Sequence, residues 1–481
     1  MPRAHAVPRA DPGPALLEAG RRAVADAEPE AYWLDRPERP PAGDPLQGDH
    51  STDLVIVGAG FTGLWAALLA LDEDPGRSVV VLDAGRVADG ASGRNGGFVD
   101  ASLTHGLANG ERHFPDALPR LVELGRDNLR DLAATLDTEG IAADWWPTGE
   151  LDVAVAPHLV ADLADDAALH RRHGADVEVL DADATRAEID SPTFCGALLR
   201  HDDVGLIDPA RLAWGLADAV RRRGGLVAER SAVTRVERDG AGVRVDTATG
   251  RVRAGRALVA TNAYGSPLRA VRRRVVPVYD HVVMTEPLSA EQWAAVGWSN
   301  RRGLADTTNQ FHYSRPTADG RILWGGYDAV YHFASRVDPR LEQRSATHEL
   351  LAAQLLATFP QLEGIRFSHR WGGPIGTTSR FTLAAGTTHD RRVAWVAGYT
   401  GLGVGASRFG ARVGLDLLGD GRSPLLDLPL VARSPLPWPP EPIRWIGINL
   451  TRRALARADR RGGRRGPWLR LLDAAGVGFD S

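Results

Sequence analysis

Residues 53–63 read Asp-Leu-Val-Ile-Val-Gly-Ala-Gly-Phe-Thr-Gly, and they are the most informative part of the sequence for predicting the fold. The apolar run from Asp53 to Val57 ends at a glycine, a pattern that predicts a buried parallel strand. The residues from Thr62 to Leu71 carry a helical pattern, and Ser78 to Asp83 form a second apolar run. The order strand, glycine-rich turn, helix and strand predicts a βαβ unit.

Three glycines of this stretch are spaced for a dinucleotide. Gly58 permits a tight turn after the strand, Gly60 lets the backbone approach a pyrophosphate, and Gly63 lets the helix pack closely on the strand. The helix N-terminus offers free N–H groups to the phosphates. Asp83 closes the second strand, where a carboxylate accepts hydrogen bonds from ribose hydroxyls. A purely structural βα turn is the alternative, and the joint presence of strand, helix and acid argues against it.

A second glycine-rich loop, Gly90-Ala-Ser-Gly-Arg-Asn-Gly-Gly97, follows directly after that acid. A simple NAD-binding fold has no need of it, whereas a longer cofactor extends past the first turn. We expect Ser92 and the loop amides to hold phosphate oxygens, and Arg94 and Asn95 to address a ring system. The alternative is a surface turn, because Gly, Ser and Asn are common turn residues.

Length and composition narrow the class of protein. A chain of 481 residues and 51.6 kDa exceeds one ordinary domain, which predicts two interleaved domains with terminal extensions. Apolar residues make up 43% and charged residues 25%, values that exclude wholesale disorder. The net charge of −4 gives no reason to expect nucleic acid as a partner. No apolar stretch is long enough to span a bilayer, and no secretory signal is recognisable.

Two residue types are scarce or missing. Cys195 is the one cysteine, so the chain can form neither an intrachain disulfide nor a thiolate metal cluster, and we predict a cytoplasmic protein without a metal. Lysine is absent, so all 57 basic residues are arginine. Schiff-base chemistry, a pyridoxal-phosphate lysine and a P-loop lysine are therefore excluded.

Hydrophobic periodicity predicts the remaining elements. Residues 112–183 are mostly helical with a strand at Leu151–Val155, residues 276–330 are rich in strands, and no tandem repeat is present. The strands predicted from this pattern are an antiparallel meander over Leu226–Val259 and runs at His281–Thr285, Gln310–Ser314, Arg321–Trp324 and Val393–Ala397. A helix is predicted from Gly401 to Leu418.

The ordered set of motifs resembles the FAD-dependent oxidoreductases of the D-amino-acid oxidase superfamily. The motifs that carry the resemblance are Gly58–Gly63, Asp83, Gly90–Gly97, Ala260-Thr-Asn-Ala263 and Gly398-Tyr-Thr-Gly-Leu-Gly403. The loop at Gly90 and the Trp371-Gly-Gly373 motif make the chain most similar to the gamma-glutamylputrescine oxidase-like branch. The resemblance covers about residues 50–420 and implies FAD as the cofactor. Some relatives attach FAD through a cysteine, but Cys195 lies outside the matched motifs, so we predict that FAD is bound noncovalently.

The resemblance also implies a fold and its boundaries. It implies an α/β fold in which an FAD/NAD(P)-binding Rossmann-like domain is interleaved with an α+β substrate domain built on an antiparallel sheet. Together with the sequence pattern of the two ends, it predicts residues 1–50 as an N-terminal extension, 51–110, 205–275 and 370–420 as a discontinuous FAD-binding domain, 111–204 and 276–369 as the substrate domain, and 421–481 as a C-terminal extension with an Arg-rich helix.

By this resemblance, FAD lies extended from the first glycine turn to the start of the last long helix, with the Val233 backbone at its adenine. The implied FAD-binding residues are Gly58, Gly60, Phe61, Thr62, Gly63, Asp83, Ala91, Ser92, Arg94, Asn95, Gly96, Gly97, Val233, Thr261, Gly373, Gly398, Thr400, Gly401, Leu402 and Gly403. The chain departs from relatives in having Asp83 where Glu is usual and in lacking the lysine that some amine oxidases use to activate oxygen.

The implied reaction is oxidation of a C–N bond in a small amine or amino acid substrate, with hydride passing to the flavin and an imine that hydrolyses. The candidate catalytic residues are His281, His312, Tyr313, Arg315, Tyr327 and Trp371. His312 is suited to accept the amine proton and Arg315 to pair with a substrate carboxylate. For each of them a packing or surface role is the alternative.

Two further questions stay open from the sequence. The electron acceptor is oxygen or another carrier, so an amine dehydrogenase that reduces a quinone is an alternative to an oxidase, and a noncatalytic flavin-binding module is a third reading. The tail from Glu441 to Ser481 holds nine arginines and four acids, and we expect a basic helix at 452–461. A helix docked on the acidic body by Trp445, Trp468 and Leu472 is favoured over a helix that binds a membrane or nucleic acid.

Overall fold

A computed structural model describes residues 12–326 and 328–474 of the chain. The strands within these residues are β1 (Gly48–Val57), β2 (Val79–Leu82), β3 (Phe98–Asp100), β4 (Glu150–Ala154), β5 (Val177–Asp181), β6 (Gly196–Arg200), β7 (Val204–Leu206), β8 (Leu226–Ala228), β9 (Arg235–Asp239), β10 (Gly242–Asp246), β11 (Gly250–Val259), β12 (Val276–Thr285), β13 (Gly303–Asp306), β14 (His312–Pro316), β15 (Ile322–Gly326), β16 (Val330–Tyr331), β17 (Phe367–Thr377), β18 (Ala384–Thr388) and β19 (Val393–Ala397).

The α-helices of the same residues connect and cover these strands. They are α1 (Gly13–Ala23), α2 (Phe61–Glu73), α3 (Leu107–His113), α4 (Leu118–Glu139), α5 (Val160–Arg172), α6 (Ala182–Glu188), α7 (Pro209–Arg222), α8 (Arg269–Arg274), α9 (Ala290–Val296), α10 (Ser345–Thr358), α11 (Gly403–Leu418), α12 (Pro429–Ala432), α13 (Ile443–Asp459) and α14 (Pro467–Ala474).

The first sheet has the order β18-β19-β11-β1-β2-β8. The strands β19, β11, β1, β2 and β8 run parallel, and the predicted βαβ unit is present as β1, α2 and β2. Alternate residues of β1 face opposite sides, so that Leu54 and Ile56 pack with α2 while Val55 and Val57 pack against the β9–β10–β11 ribbon. Both faces are therefore buried, as the apolar run predicts.

The antiparallel meander predicted over Leu226–Val259 is partly wrong. β9, β10 and β11 do form an antiparallel ribbon. The first segment, β8, instead pairs in parallel with β2 at the edge of the sheet. The long strand β11 also pairs along its whole length in parallel with β1, so that Val259 lies opposite Val57. Local alternation reveals the strands but not which partner each strand takes.

The second sheet has the order β16-β12-β15-β14-β13-β4-β6-β5, and β17 pairs with β12. All its pairs are antiparallel except β13 with β4. The helix α10 covers the back of this sheet through a core that includes Leu351, Leu355 and Phe359. β17 crosses the predicted boundary at residue 370 and pairs with β12 along its length. The domain boundaries themselves stay a prediction.

The terminal segments lie against the body of the protein. In the N-terminal segment, the buried indole of Trp33 donates through Nε1 to the Asn95 carbonyl at 2.9 Å. In the C-terminal segment, the basic helix is longer than predicted, α13 spanning Ile443–Asp459. Leu469 of α14 is fully buried, whereas the predicted anchor Trp445 is 39% exposed. Within residues 12–326 and 328–474, no helix combines the length and the apolar character needed to cross a membrane.

Candidate active site

One large cavity, of about 1210 Å³, runs between the first sheet and the second. It begins at the turn after β1, passes the loop after β2 and the strands β12 and β14, and reaches the start of α11. Pockets for drug-sized ligands occupy about 300–1,000 Å³. This cavity therefore has room for an extended dinucleotide together with a small molecule.

The turn after β1 has the geometry that its glycines predict. Gly58 has a φ of +111°, and a Cβ there would lie 2.7 Å from the Ala260 carbonyl oxygen. A Cβ at Gly63 would lie 1.8 Å from the Gly58 carbonyl oxygen, so α2 packs against the turn at a distance that excludes any side chain. Gly60 lines the cavity, and a Cβ added there would lie 2.9 Å from the Ser92 hydroxyl oxygen.

Asp83 lies at the carboxyl end of β2, on the cavity wall. Its two carboxylate oxygens accept hydrogen bonds from the Ala59 N–H at 2.6 Å and the Gly85 N–H at 2.8 Å. Burial raises the pKa of this carboxyl. Each oxygen keeps a second lone pair, so the carboxylate can still accept from hydroxyl groups of a ligand.

The second glycine-rich loop is held mainly by its own side chains. The Ser92 hydroxyl accepts the Phe61 N–H at 2.9 Å and so joins the loop to the start of α2. Asn95 donates to the Ala91 and Ser92 carbonyls and accepts from the Gly97 N–H. Arg94 pairs with Glu342 at 2.6 Å. Both side chains line the cavity, and the hydrogen bonds of Asn95 and of Arg94 Nε and Nη1 are made within the protein. A role for either residue at a ring system stays a prediction.

The start of α11 forms the other end of the cavity. Gly401, Leu402 and Gly403 line it, and no side chain caps the helix, so its first N–H groups lie free at the wall. The Tyr399 and Thr62 hydroxyls form a hydrogen bond of 2.7 Å, although the two residues are 337 positions apart in the sequence. The start of α2 and the segment before α11 are therefore in direct contact.

Seventeen of the twenty predicted FAD-binding residues line the cavity, and three do not. Those that line the cavity are Gly58, Gly60, Phe61, Thr62, Asp83, Ala91, Ser92, Arg94, Asn95, Gly96, Val233, Thr261, Gly373, Thr400, Gly401, Leu402 and Gly403. Gly63, Gly97 and Gly398 instead shape turns behind it, since a Cβ on any of them would meet a neighbouring atom at 2.3 Å or less.

Buried polar atoms without a partner also line the cavity. Among the described residues, nothing hydrogen-bonds to Thr261 Oγ1, Tyr264 Oη or His105 Nδ1. Buried polar groups are nearly always paired in native proteins, so these atoms fit a polar ligand. Burial lowers the pKa of His105 to about 4, which keeps its imidazole neutral near pH 7.

The second sheet supplies the wall that faces this ligand space. Tyr313 of β14 lies opposite Gly325 of β15, where a Cβ would come within 2.5 Å of the tyrosine ring. The glycine therefore lets the ring lie across the sheet, and its hydroxyl donates to the Asp280 carboxylate at 2.6 Å. Burial raises the pKa of Asp280 to about 6. Sequence reasoning missed this carboxylate, although its place next to His281 on a strand was a usable signal.

The structure does not bring the two predicted histidines into the cavity. Successive side chains of a strand point to opposite faces, so His281 and His312 point away from Asp280 and Tyr313 towards α10. The His312 ring is hydrogen-bonded by both nitrogens, to Asp306 at 2.8 Å and to Gln354 at 3.0 Å. Burial lowers the pKa of His281 to about 3. This packing does not support either histidine as the proton acceptor.

Arg315 and Trp371 donate hydrogen bonds to backbone carbonyls of the second glycine-rich loop. Arg315 is buried and donates to the carbonyls of Ile207 at 2.7 Å and Gly97 at 3.3 Å, which leaves it no access to a substrate carboxylate. The Trp371 indole donates to the Arg94 carbonyl at 2.8 Å. Of the six predicted catalytic residues only Tyr313 lines the cavity, and Tyr327 lies outside the described residues.

A parallel sheet with a glycine-rich βα turn, a second largely antiparallel sheet and a cavity between them are typical of dinucleotide-binding enzymes. Residues 53–417 match the DAO family, described as FAD dependent oxidoreductase, and the chain belongs to this family. The family and the enzyme class predicted from the sequence are thereby confirmed.

Similar proteins and structures agree with this family. The chain is 35% identical over 389 residues to the gamma-glutamylputrescine oxidoreductase of Escherichia coli (strain K12), covering 78% of this chain and 85% of that protein. It is 27% identical over 400 residues to the probable oxidoreductase OrdL of Haemophilus influenzae, covering 81% and 88%. The glycine oxidase structure from Geobacillus kaustophilus matches with a TM-score of 0.64 and 20% identity, covering 77% of this chain and 95% of that one, and shares the fold.

Proposed function

We propose that this protein oxidises a C–N bond of a small amine or amino acid, giving an imine that hydrolyses to a carbonyl compound. The proposal is supported by family membership and by the name of the gamma-glutamylputrescine oxidoreductase that the chain resembles. The observation that carries it is the single cavity in which the glycine turn, the start of α11 and the Tyr313–Asp280 pair meet.

FAD is the proposed cofactor, bound without a covalent link. When bound, FAD supplies the two-electron acceptor that takes the hydride from the substrate α-carbon. We assign its binding to the lining residues that follow the strands of the first sheet, with Asp83 at the ribose and the uncapped N-terminus of α11, which begins at Gly403, at the anionic edge of the ring. Cys195 does not line the cavity, which supports noncovalent binding.

Asp280 is the proposed proton acceptor for the substrate amine. An amine gives up hydride only in its neutral form, so the site must remove the proton of the ammonium group. With a pKa of about 6, Asp280 is a carboxylate at pH 8 and can attract the ammonium group and take its proton. The Tyr313 hydroxyl holds the carboxylate in place on the cavity wall. This assignment replaces the expected role of His312.

A dehydrogenase that passes electrons to a quinone or carrier is the second candidate. It is favoured by the lack of the lysine that some amine oxidases use to activate oxygen, since the chain has no lysine. His105, which lines the cavity, is neutral near pH 7. The cytoplasmic location predicted from the sequence stays a prediction.

Anaerobic reduction of the bound flavin tests the proposal. Purified protein should be yellow, should release its flavin on acid precipitation, and should be bleached by at least one member of a panel of acylated diamines, amino acids and N-methyl amines. Reoxidation by air and by a soluble quinone then separates an oxidase from a dehydrogenase. A flavin that no amine bleaches would contradict the proposal and favour a noncatalytic flavin-binding module.

A further inference from the structure

The C-terminal helix α13 has two faces in different environments. One face lines the cavity, and its members are Ile448, Thr451, Arg452 and Leu455. The other face, here called the outer stripe, consists of the exposed residues Ile443, Ile446, Leu450, Arg453 and Arg457. Their spacing of three and four places these five side chains together. An offset of two residues turns about 200° around a helix, so the outer stripe lies opposite the cavity face.

Exposed apolar side chains are concentrated on and around this helix. Twelve large hydrophobic residues are exposed in the part of the chain that the structure describes, and six of them lie between residues 436 and 471. These six are Leu436, Ile443, Trp445, Ile446, Leu450 and Leu471. Phe333, which is 54% exposed, lies near the start of α13, since the next residue donates its N–H to Glu441 at 3.1 Å. Contiguous exposed apolar surface is typical of an interaction site.

Arginines continue the outer stripe beyond Leu450. The exposed arginines of this part are Arg453, Arg457, Arg460, Arg461 and Arg464. None of the five has an ion-pair partner among residues 12–326 and 328–474. Other arginines of the same segment are paired, as Arg444 is with Glu441 and Arg465 with Asp473. The face that α13 turns to solvent therefore has an apolar half followed by a basic half whose charge the described residues do not neutralise.

The combination of apolar and basic residues favours an anionic membrane surface as the partner. A nucleic acid offers phosphates to the arginines but no apolar surface to three aliphatic side chains. A second copy of the chain, paired stripe to stripe across a twofold axis, offers the arginines no acid. A bilayer with anionic lipids satisfies both halves, because aliphatic side chains enter the acyl boundary while arginines stay at the phosphate groups.

We propose that the protein rests on an anionic bilayer through the outer stripe of α13. Ile443, Ile446 and Leu450 enter the boundary of the acyl chains, and Arg453 and Arg457 bind lipid phosphates. The helix lies on the surface and does not cross the bilayer. Because its other face lines the cavity, the docked protein holds the cavity roughly 10 Å from the lipid, the diameter of one helix. This inference does not depend on the reaction proposed above.

Flotation of the purified full-length protein with lipid vesicles tests the proposal. The vesicles contain phosphatidylcholine alone, or phosphatidylcholine with an equal part of phosphatidylglycerol. The wild type should bind the anionic vesicles at least about tenfold more tightly than the neutral ones, since each arginine near an anionic surface contributes about fivefold. Added salt should weaken this binding because it screens the charges. A wild type that binds neither kind of vesicle, or both equally, would overturn the proposal.

Substitutions in the two halves of the stripe separate the apolar and the basic contribution. Ile446→Ser should weaken binding to anionic vesicles by about tenfold or more, the loss that follows from exposing one isoleucine side chain. Arg453→Gln combined with Arg457→Gln should weaken binding to anionic vesicles by at least about tenfold and leave binding to neutral vesicles unchanged.

Matched controls make similar changes elsewhere on the surface. Val179→Ser alters a 40% exposed residue of β5, and Arg120→Gln combined with Arg130→Gln changes the net charge equally on α4. Both controls should bind anionic vesicles like the wild type. All variants should keep the thermal midpoint and the flavin content of the wild type, because every substituted side chain is exposed. Equal losses in the controls and in the stripe variants would contradict the assignment to α13.

Other occupants of the stripe give different results with the same variants. A dimer in light scattering that Ile446→Ser dissociates, without vesicle binding, would overturn the proposal in favour of a second copy. Binding of duplex DNA that the double arginine variant loses, without vesicle binding, would overturn it in favour of nucleic acid. Flotation needs no turnover, so a protein that floats with anionic vesicles but is bleached by no amine would contradict the proposed function alone.

Discussion

At the scale of single residues, the proposed chemistry depends on which face of a strand a side chain occupies. Asp280 and His281 are neighbours in sequence, but only Asp280 reaches the cavity, while the His281 ring packs against His348 with ring centroids 5.3 Å apart. The same alternation separates Tyr313 from His312. Chemical type alone suggests the histidines as proton acceptors. The face of the strand instead places the Asp280 carboxylate and the Tyr313 phenol at the cavity.

Asp280→Asn should slow flavin reduction by a good amine substrate by about a hundredfold or more, the contribution typical of a general base. The pKa of Asp280 is raised to about 6, so in the wild type the reduction rate should fall as pH drops through 6 and the carboxylate becomes protonated. The variant should lack this fall in rate at low pH, which is the acid limb of the pH profile. Stopped-flow reduction between pH 5 and 9 measures both effects.

The matched comparison for Asp280 is His312→Gln. His312 is buried among Asp306 and Gln354 on the opposite face, so its replacement should lower the thermal midpoint but leave the acid limb in place. An acid limb that disappears in His312→Gln and persists in Asp280→Asn would contradict the assignment and restore the histidine as proton acceptor.

At the scale of elements, the first glycine turn illustrates what local sequence can predict. Its conformation follows from residues within one βαβ unit, and Gly58–Gly63 adopts the geometry that the spacing implies. Strand pairing is different, because β8 and β17 take partners that are distant in sequence. Register and partner choice depend on the whole sheet, so the motif residues could be placed from the sequence while the sheet that holds Asp280 could not.

Gly63→Ala should abolish FAD binding and lower the thermal midpoint strongly. The new Cβ would lie 1.8 Å from the Gly58 carbonyl oxygen, which forces α2 away from the turn. Gly447→Ala is the control, because a Cβ there meets nothing within 4 Å and a helix interior favours alanine over glycine by about 0.5–1 kcal/mol. Differential scanning fluorimetry and flavin absorbance measure the two variants. Retention of flavin by Gly63→Ala would contradict the tight turn.

At the scale of the whole molecule, one hydrogen bond joins motifs from opposite ends of the chain. The Tyr399 and Thr62 hydroxyls bring the segment before α11 to the start of α2. The pocket that we assign to FAD exists only when both segments are in place. Each motif could be recognised in the sequence, but their contact depends on the order of strands between them.

Tyr399→Phe should weaken FAD binding about fivefold, since it removes a buried hydrogen bond worth about 1 kcal/mol and leaves the Thr62 hydroxyl without this partner. Fluorescence titration of the flavin-free protein with FAD measures the change. Thr62→Val removes the same bond from the other side, and the double variant should be less than additive. Additive losses would show that the two hydroxyls act independently.

The pairing of β1 with β11 also bears on how this protein is made. Val57 leaves the ribosome long before its neighbour Val259, and at about 5–20 residues per second the delay is roughly 10–40 s. During this time one apolar edge of the nascent nucleotide-binding sheet has no partner strand, and such edges promote aggregation. Co-expressed chaperones that bind the unpaired edge should therefore raise the soluble yield of this enzyme.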